Sequence, residues 1–192
     1  MRIKICGVTR PRDARLAAKL GAWAVGMIFV PETPRFLTVA RARKVRAAIP
    51  KGVLAVGVFR RPNPRDLSRA IEELRLDAVQ IYGEEPFLHV FSPKARLRFL
   101  EPKRSDADRR AGRGPSEAAR RRMWRRAAAL KRRGVRVVLA GGLTPENAAE
   151  AAAAAKPWAL DVSSGVERRP GVKDAARLRA FFAAFPIRPK NK

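Results

Sequence analysis

Short, continuous runs of Val, Ile, Leu and Ala recur along this chain, and each is followed by a helical pattern. A run that is apolar at every position, not at every second one, suits a strand buried on both faces of a parallel sheet. Ile3–Val8 is the first such run, and Pro11 opens a helix over RDARLAAKLGA in its first turn. Ala24–Val30 is the second; after the loop PETPRFLT, Thr38 caps a helix, VARARKVRAAI, that stops at Pro50. Val53–Phe59 is the third, with a helix in RDLSRAIEELR after Pro64, and Ala78–Tyr82 is the fourth. The rhythm returns at Val135–Ala140, which leads into Gly141-Gly142 and a helix in TPENAAEAAAAA with Thr144 as N-cap. Trp158–Val162 then leads into Ser163-Ser164-Gly165 and a last helix near DAARLRAFFAA. Alternation of strand and helix in one direction implies right-handed crossovers and a parallel sheet, either a (β/α)8 barrel or a doubly wound sheet.

Spacing adds a second constraint. The first four strands begin near residues 3, 24, 53 and 78, about 25 apart. From 78 to 135 is 57 residues, whereas two further strands in that gap need about 75 at the same pace. The chain is therefore some 15–20 residues short of eight full units. Residues 87–123 are also its least strand-like part; only Leu97–Leu100 resembles a strand there, and Arg98 interrupts it. The segment is rich in Arg, Ala, Pro, Gly and Ser without a clear period. That composition fits a diverged native segment, or a stretch of a GC-rich gene read out of frame and restored near Met123.

Composition removes several function classes. A chain of 192 residues with 46% hydrophobic content fits one domain with a real core. The single cysteine, Cys6, excludes an internal disulfide and a Cys-rich zinc site, and suits a reducing cytoplasm. The single histidine, His89, leaves little for a His-based metal site or a Ser/His relay. No run approaches the length of a membrane span, and the N-terminus lacks a signal-peptide pattern, so a cytoplasmic location is expected. The net charge of +26 raises nucleic acid as a partner. Residues 87–133 hold sixteen Lys/Arg against four Asp/Glu, yet carry no RNA-binding signature, interleaved aromatics or helix-turn-helix spacing. Non-specific attraction to polyanions is the expectation, with no specific nucleic-acid partner. A positive field also favours an anionic substrate.

In barrels of this class, catalytic groups sit where strands end, and phosphate commonly binds at the loops after the last two strands. Those loops here are AGGLTPEN and DVSSGVE. Gly141, Gly142 and Gly165 allow backbone N–H groups to approach phosphate oxygens, while Ser163 and Ser164 add hydroxyl donors. Taken singly, each loop also reads as an ordinary βα turn. Cys6 ends the first strand and is followed at once by Gly7 and Thr9. A lone cysteine there is a core residue or a reactive thiol.

Six motifs carry a resemblance: KICGVT, GMIFVPETPRFLT, VGVF, AVQIYGEEP, VLAGGLTPENAAEA and ALDVSSGVERRPGVKD. In order and spacing they resemble the successive motifs of phosphoribosylanthranilate isomerase, across residues 2–86 and 124–175. The resemblance implies a (β/α)8 TIM-type barrel, here incomplete or irregular around strands 5 and 6. It also implies an aldose–ketose isomerase of tryptophan biosynthesis, acting by general acid/base catalysis. The implied reaction is the Amadori rearrangement of N-(5'-phosphoribosyl)anthranilate to 1-(2-carboxyphenylamino)-1-deoxyribulose 5-phosphate. No cofactor or metal is expected, and the partner is a small phosphorylated substrate. No membrane partner is implied, and the chain is a monomer or homodimer.

By the same resemblance Cys6 is the general base, which nearby positive charge would favour as thiolate. Arg35, in TPRF, holds the anthranilate carboxylate, and Asp161 faces the aromatic end of the substrate. Gly141, Gly142, Ser163, Ser164 and Gly165 hold the phosphate. The sequence departs from the family pattern twice. Tyr82 stands where the family commonly has histidine, reading QIYG for QLHG. The family's general acid, an aspartate ending strand six before a Gly-rich loop, has no clear counterpart in 87–123. The nearest candidate is Glu101, in RFLEPKR, whose longer side chain would have to be re-aimed. GRGPSEAARRRMW then stands weakly for the Gly-rich loop, and WRRAAALKRRG resumes helix six. Two other readings remain: a catalytically impaired, phosphate-ligand-binding barrel of the same family, and a basic polyanion-binding protein.

Overall fold

The computed structural model describes residues 1–82 and 114–185, and the strand backbones of 88–92 and 95–100. Eight strands close into a barrel in chain order: β1 (Arg2–Ile5), β2 (Ala24–Ile28), β3 (Leu54–Arg60), β4 (Ala78–Tyr82), β5 (Leu88–Ser92), β6 (Ala95–Leu100), β7 (Val137–Ala140) and β8 (Ala159–Val162). The described helices are α1 (Pro11–Lys19), α2 (Val39–Ala47), α3 (Pro64–Leu74), α4 (Glu117–Arg132), α5 (Ala148–Ala155) and α6 (Ala175–Ala183). A small antiparallel hairpin, β9 (Glu167–Arg169) and β10 (Val172–Lys173), follows β8.

The continuous apolar runs divide between two cores. Ile3, Ile5, Val25, Met27, Val137, Leu139, Leu160 and Val162 pack outward against Ala14, Ala17, Ala151 and Leu178 of the helices. Their sequence neighbours Cys6, Ala24, Val56, Val58, Ala78, Val138 and Ala159 form a second cluster, which fills the lumen. A strand alternates its side chains, so a strand that feeds both cores must be apolar throughout. Three buried polar residues interrupt this rule: Lys4, Gln80 and Asp161. Each stands one position from outward-facing apolar neighbours, and so belongs to the lumen.

Helix starts follow side-chain chemistry more than hydrophobic pattern. The Arg41 N–H donates to Thr38 Oγ1 at 3.3 Å, and Asn63 and Asp174 cap α3 and α6 in the same way. Thr144, expected as an N-cap, does not serve as one, because α5 begins only at Ala148. Asn147 ties that loop instead. Its Oδ1 accepts from the Thr144 N–H at 2.9 Å, and its Nδ2 donates to the Gly142 carbonyl at 2.9 Å. The observed strands are also shorter than most of the apolar runs, since the last residues of each run already belong to the loops.

The length deficit has a structural answer. β5 runs antiparallel to both β4 and β6, with Gln80 opposite Val90 and Val90 opposite Leu97. All other neighbouring pairs in the barrel are parallel. Parallel neighbours need a crossover of a dozen or more residues, whereas antiparallel neighbours need only a turn. Residues 83–87 and 93–94 suffice for the two connections. Within 87–123 the structure thus places β5, β6 and the first turns of α4. Ser116 caps α4, its Oγ accepting from the Ala119 N–H at 3.2 Å, and the helix buries Ala119, Met123, Trp124 and Ala127. Helix six therefore starts several residues before Met123, not at Trp124. Antiparallel pairing brings Hα atoms of facing residues together, which parallel pairing does not. NOE spectra should accordingly show Hα–Hα contacts across β5–β6 and none across β6–β7; their absence from the first pair would refute the inverted strand.

Candidate active site

The loops that follow the strands converge on one cavity of about 570 Å³. Its walls include Cys6 from the end of β1, Arg35 from the loop after β2, and Tyr82 from the end of β4. Gly141 and Gly142 come from the turn after β7, Asp161 from β8, and Ser163, Ser164 and Gly165 from the turn after β8. The thiol and the two glycine/serine turns thus share one chamber. Barrel closure brings this about. Ile5 pairs with Val162, and the Cys6 N–H donates to the Val162 carbonyl at 2.9 Å, so the sulfur emerges beside the Ser163 turn.

Two glycines permit the close packing of the loops. A Cβ at Gly165 would lie 1.8 Å from the Leu143 carbonyl oxygen, so the two turns touch backbone to backbone. Gly7 has φ +68°, and a Cβ there would lie 2.5 Å from Arg35 Cδ. The arginine stem therefore crosses the backbone just beyond the thiol. Ser163 Oγ is buried without a hydrogen-bond partner, a donor aimed at nothing in the protein.

Ionic groups surround the thiol. Beneath the cavity, Lys4 Nζ donates to Asp161 Oδ2 at 2.8 Å, with both side chains buried. The other carboxylate oxygen, Oδ1, has no partner. Arg35 grips Glu167 with two parallel bonds, Nε to Oε1 at 2.9 Å and Nη2 to Oε2 at 2.6 Å. Lys173 Nζ also reaches Glu167 Oε1 at 2.8 Å and the Ser163 carbonyl at 3.1 Å. The β9–β10 hairpin that carries these groups is tied to the loop after β1. Thr9 donates to the Gly171 carbonyl, and Arg10 Nη2 donates to the Lys173 carbonyl at 2.9 Å.

These contacts set proton affinities. Burial pushes the Cys6 thiol above its ordinary value; Lys4 and Lys173 pull it down, and Asp161 pushes it up. The expectation that nearby positive charge would favour the thiolate is therefore met by two lysines, yet outweighed by burial. Burial works to lower the Lys4 ammonium, but Asp161 and the Cys6 sulfur outweigh it and leave Lys4 raised. Burial lowers Lys173 despite Glu167. Burial works to raise Glu167, but its Arg35 bond and the Lys173 charge hold it below the usual carboxylate range.

Cys6, Arg35, Tyr82, Asp161 and all five loop residues expected from sequence meet in this cavity. Glu101 lies outside the described residues. Leu100, which precedes it, pairs with Leu139, so β6 ends on the rim where β7 delivers Ala140 and Gly141. Lys4, Glu167 and Lys173 were not expected. Lys4 had a visible signal: it stands two positions before Cys6 in a strand, and therefore on the same face. Glu167 and Lys173 had none: Arg35 lies 132 positions from Glu167, and it takes the fold of the hairpin to set Lys173 beside that carboxylate. Among the described residues, no three His, Cys, Asp or Glu side chains gather as metal ligands, and no helix is long and apolar enough to cross a membrane.

The family model for N-(5'-phosphoribosyl)anthranilate (PRA) isomerase matches residues 3–100 and 123–184. The chain belongs to this family. The match runs through Leu100, so between its two parts the family model leaves 101–122 unmatched and not the whole of 87–123. An N-(5'-phosphoribosyl)anthranilate isomerase of Acidithiobacillus ferrooxidans is 40% identical over 200 residues, covering 95% of this chain and 96% of its own. Among solved structures, the phosphoribosyl anthranilate isomerase of Thermus thermophilus superposes with a TM-score of 0.77 at 37% identity, covering 96% of this chain and 98% of its own. Another phosphoribosyl anthranilate isomerase, solved with reduced 1-(o-carboxyphenylamino)-1-deoxyribulose 5-phosphate, gives 0.75 at 31% identity, covering 96% and 97%.

The raised thiol makes a direct test available, since Cys6 is the only cysteine. In the free protein its alkylation by iodoacetamide should accelerate about tenfold per pH unit up to about pH 9. A rate that levels off below about pH 8 would contradict the dominance of burial over the two lysines.

Proposed function

We infer that this chain catalyses the Amadori rearrangement of N-(5'-phosphoribosyl)anthranilate to 1-(2-carboxyphenylamino)-1-deoxyribulose 5-phosphate, a step of tryptophan biosynthesis. The observation that carries the reading is the single cavity in which a thiol, an arginine and two glycine/serine turns meet, in a member of this family. Proton transfers suffice for the reaction. An acid protonates the ribose ring oxygen, the C1'–O bond breaks, and the nitrogen lone pair forms an iminium. A base then removes the C2' proton, giving an enolamine; a proton returns at C1' as the C2' hydroxyl loses its own, and the C2' ketone results. C1' is reduced and C2' oxidised by equal amounts.

In this reading the 5'-phosphate sits against the N–H groups of Gly141, Gly142 and Gly165 and the hydroxyls of Ser163 and Ser164. The unpartnered Ser163 Oγ suits that role. Cys6 removes the C2' proton. Its buried thiol is a weak acid, so the thiolate, once formed, is a strong base. The iminium beside it lowers the energy of that thiolate when it is needed. Asp161 supports the iminium from the aromatic end; its Oδ1 is available to accept the nitrogen's N–H. Glu101 is the proton donor to the ring oxygen, at the end of β6. Tyr82 borders the sugar, its phenol oxygen accepting from Gln80 Nε2 at 3.3 Å.

Arg35 holds the anthranilate carboxylate in a way the sequence did not suggest. Glu167 occupies its Nε–Nη2 edge. A guanidinium has a second edge, formed by Nη1 and Nη2, and that edge remains able to bind a planar carboxylate side by side. Glu167 thus fixes the plane in which the substrate's ring must lie.

Two experiments test these roles by following the loss of anthranilate-substrate fluorescence. Cys6→Ala and Glu101→Gln should each lower kcat by about 100-fold or more while substrate analogues still bind. Full activity in either variant removes that residue from the mechanism. Arg35→Lys keeps the charge but loses the forked geometry, and should raise KM by about tenfold or more; an unchanged KM would place the carboxylate elsewhere.

A further inference from the structure

We propose that Lys4 is the positioning residue of the thiol: its ammonium lies beneath the floor of the cavity, bound to Asp161 and next to the Cys6 sulfur, and fixes the sulfur's charge and aim without touching substrate. The inference rests on the reading of Cys6 as base. Three observations carry it. First, Lys4 and Cys6 are two apart in β1 and its continuation, so both side chains enter the lumen, one directly below the other. Second, strand register sets Lys4 opposite Asp161 on β8 and opposite Ala24 on β2. The 2.8 Å ion pair is thus built into barrel closure. Third, the neighbouring Gly26 leaves the space these atoms use. A Cβ there would lie 3.0 Å from Cys6 Sγ and 3.2 Å from Lys4 Nζ. The two atoms converge over one missing side chain.

Cys6 and Asp161 line the cavity, and Lys4 does not. Lys4 is completely buried, although an ammonium with a long flexible stem normally reaches water. A lysine serving only as a counter-ion to Asp161 would not also need to stand by the sulfur, yet its ammonium binds Asp161 and converges with Cys6 Sγ over Gly26. The charged groups facing the thiol are Lys4 from β1, Asp161 from β8 and Lys173 from β10. Arg35 and Glu167 stand next to Lys173, and Tyr82 borders the same chamber from β4. Of these, Lys4 and Asp161 act on the sulfur with opposite sign. Lys4 favours the thiolate, and Asp161 disfavours it.

That opposition gives a test that a purely structural role would not pass. Alkylation of Cys6 by iodoacetamide is measured against pH in folded wild type, Lys4→Met and Asp161→Asn. Lys4→Met should move the titration upward by about one pH unit and slow alkylation at about pH 8.5 roughly tenfold. Asp161→Asn should move it downward and speed the reaction. Shifts in the same direction, or none, overturn the proposal. Lys4→Met leaves a buried carboxylate without its partner, so the charge-neutral pair Lys4→Met/Asp161→Asn is compared with Asp161→Asn alone. Adding the lysine change must slow alkylation, and equal rates overturn the proposal. In catalysis, Lys4→Met should lower kcat about tenfold and leave KM within about threefold; a change confined to KM counts against it. Alkylation needs no substrate. Persisting isomerisation in Cys6→Ala would therefore remove the thiol from catalysis without altering the measured coupling.

Discussion

The pairing of β1 with β8 is the contact on which the site depends. It is the last seam of the barrel to close, and it brings residues 2–5 against 159–162. That seam sets Lys4 against Asp161 and carries Cys6 to the Ser163 turn. A slip of one residue would send Lys4 and Cys6 outward, into the layer where Ile3 and Ile5 pack on helices. A buried ammonium without a partner there is costly, and breaking such a pair costs about 3–5 kcal/mol. The ion pair contributes less to overall stability than to register, because desolvating both groups offsets most of their attraction.

A second ionic system holds the outer rim. Arg35, Glu167 and Lys173 come from the loop after β2 and the two strands of the small hairpin. Arg10 and Thr9 bind the same hairpin from the loop after β1. Three loops are thereby joined around the opening through one hairpin. The inner pair stands beside the Cys6 sulfur and the outer set fixes the arginine. Three cations, Lys4, Arg35 and Lys173, face two carboxylates, Asp161 and Glu167, so the two levels together carry a surplus of positive charge that favours an anionic ligand. The large positive charge of the chain has a local use here that does not require a nucleic-acid partner.

Six of the eight strands were legible in the sequence, with part of β6, and nine of the ten expected site residues line the cavity; the tenth, Glu101, lies outside the described residues. The strands and the glycine/serine turns were legible because each rests on local chemistry, an apolar run or a glycine turn; Arg35, Tyr82 and Asp161 were reached through the family resemblance. The helix cap at Thr38 obeys the same local logic. What local chemistry does not encode is partnership across the chain. Glu167 finds Arg35 across 132 positions, and nothing near either residue announces the other. Lys4 reads as a charge interrupting an apolar run until its face is compared with that of Cys6. The inverted strand was half visible. The shortage of residues could be counted, but only Leu97–Leu100 stood out as a strand in 87–123. A strand's composition carries no arrow, however, so its direction emerges only from pairing.

That inversion explains how the chain omits crossover helices and keeps the arrangement of its site. Replacing a crossover by a hairpin reverses the next strand, and a single such change would send every later strand the wrong way. Here there are two in succession, into β5 and out of it. The second reversal restores the direction of β6, and β7 and β8 follow it in parallel. Only β5 delivers its C-terminal end to the far rim. The strands that carry Cys6, Tyr82, the glycine turn and Asp161 all end on the near one. β6 ends there too, beside β7. A lone inversion would have separated the thiol at one end of the chain from the phosphate turns at the other; a pair leaves them face to face.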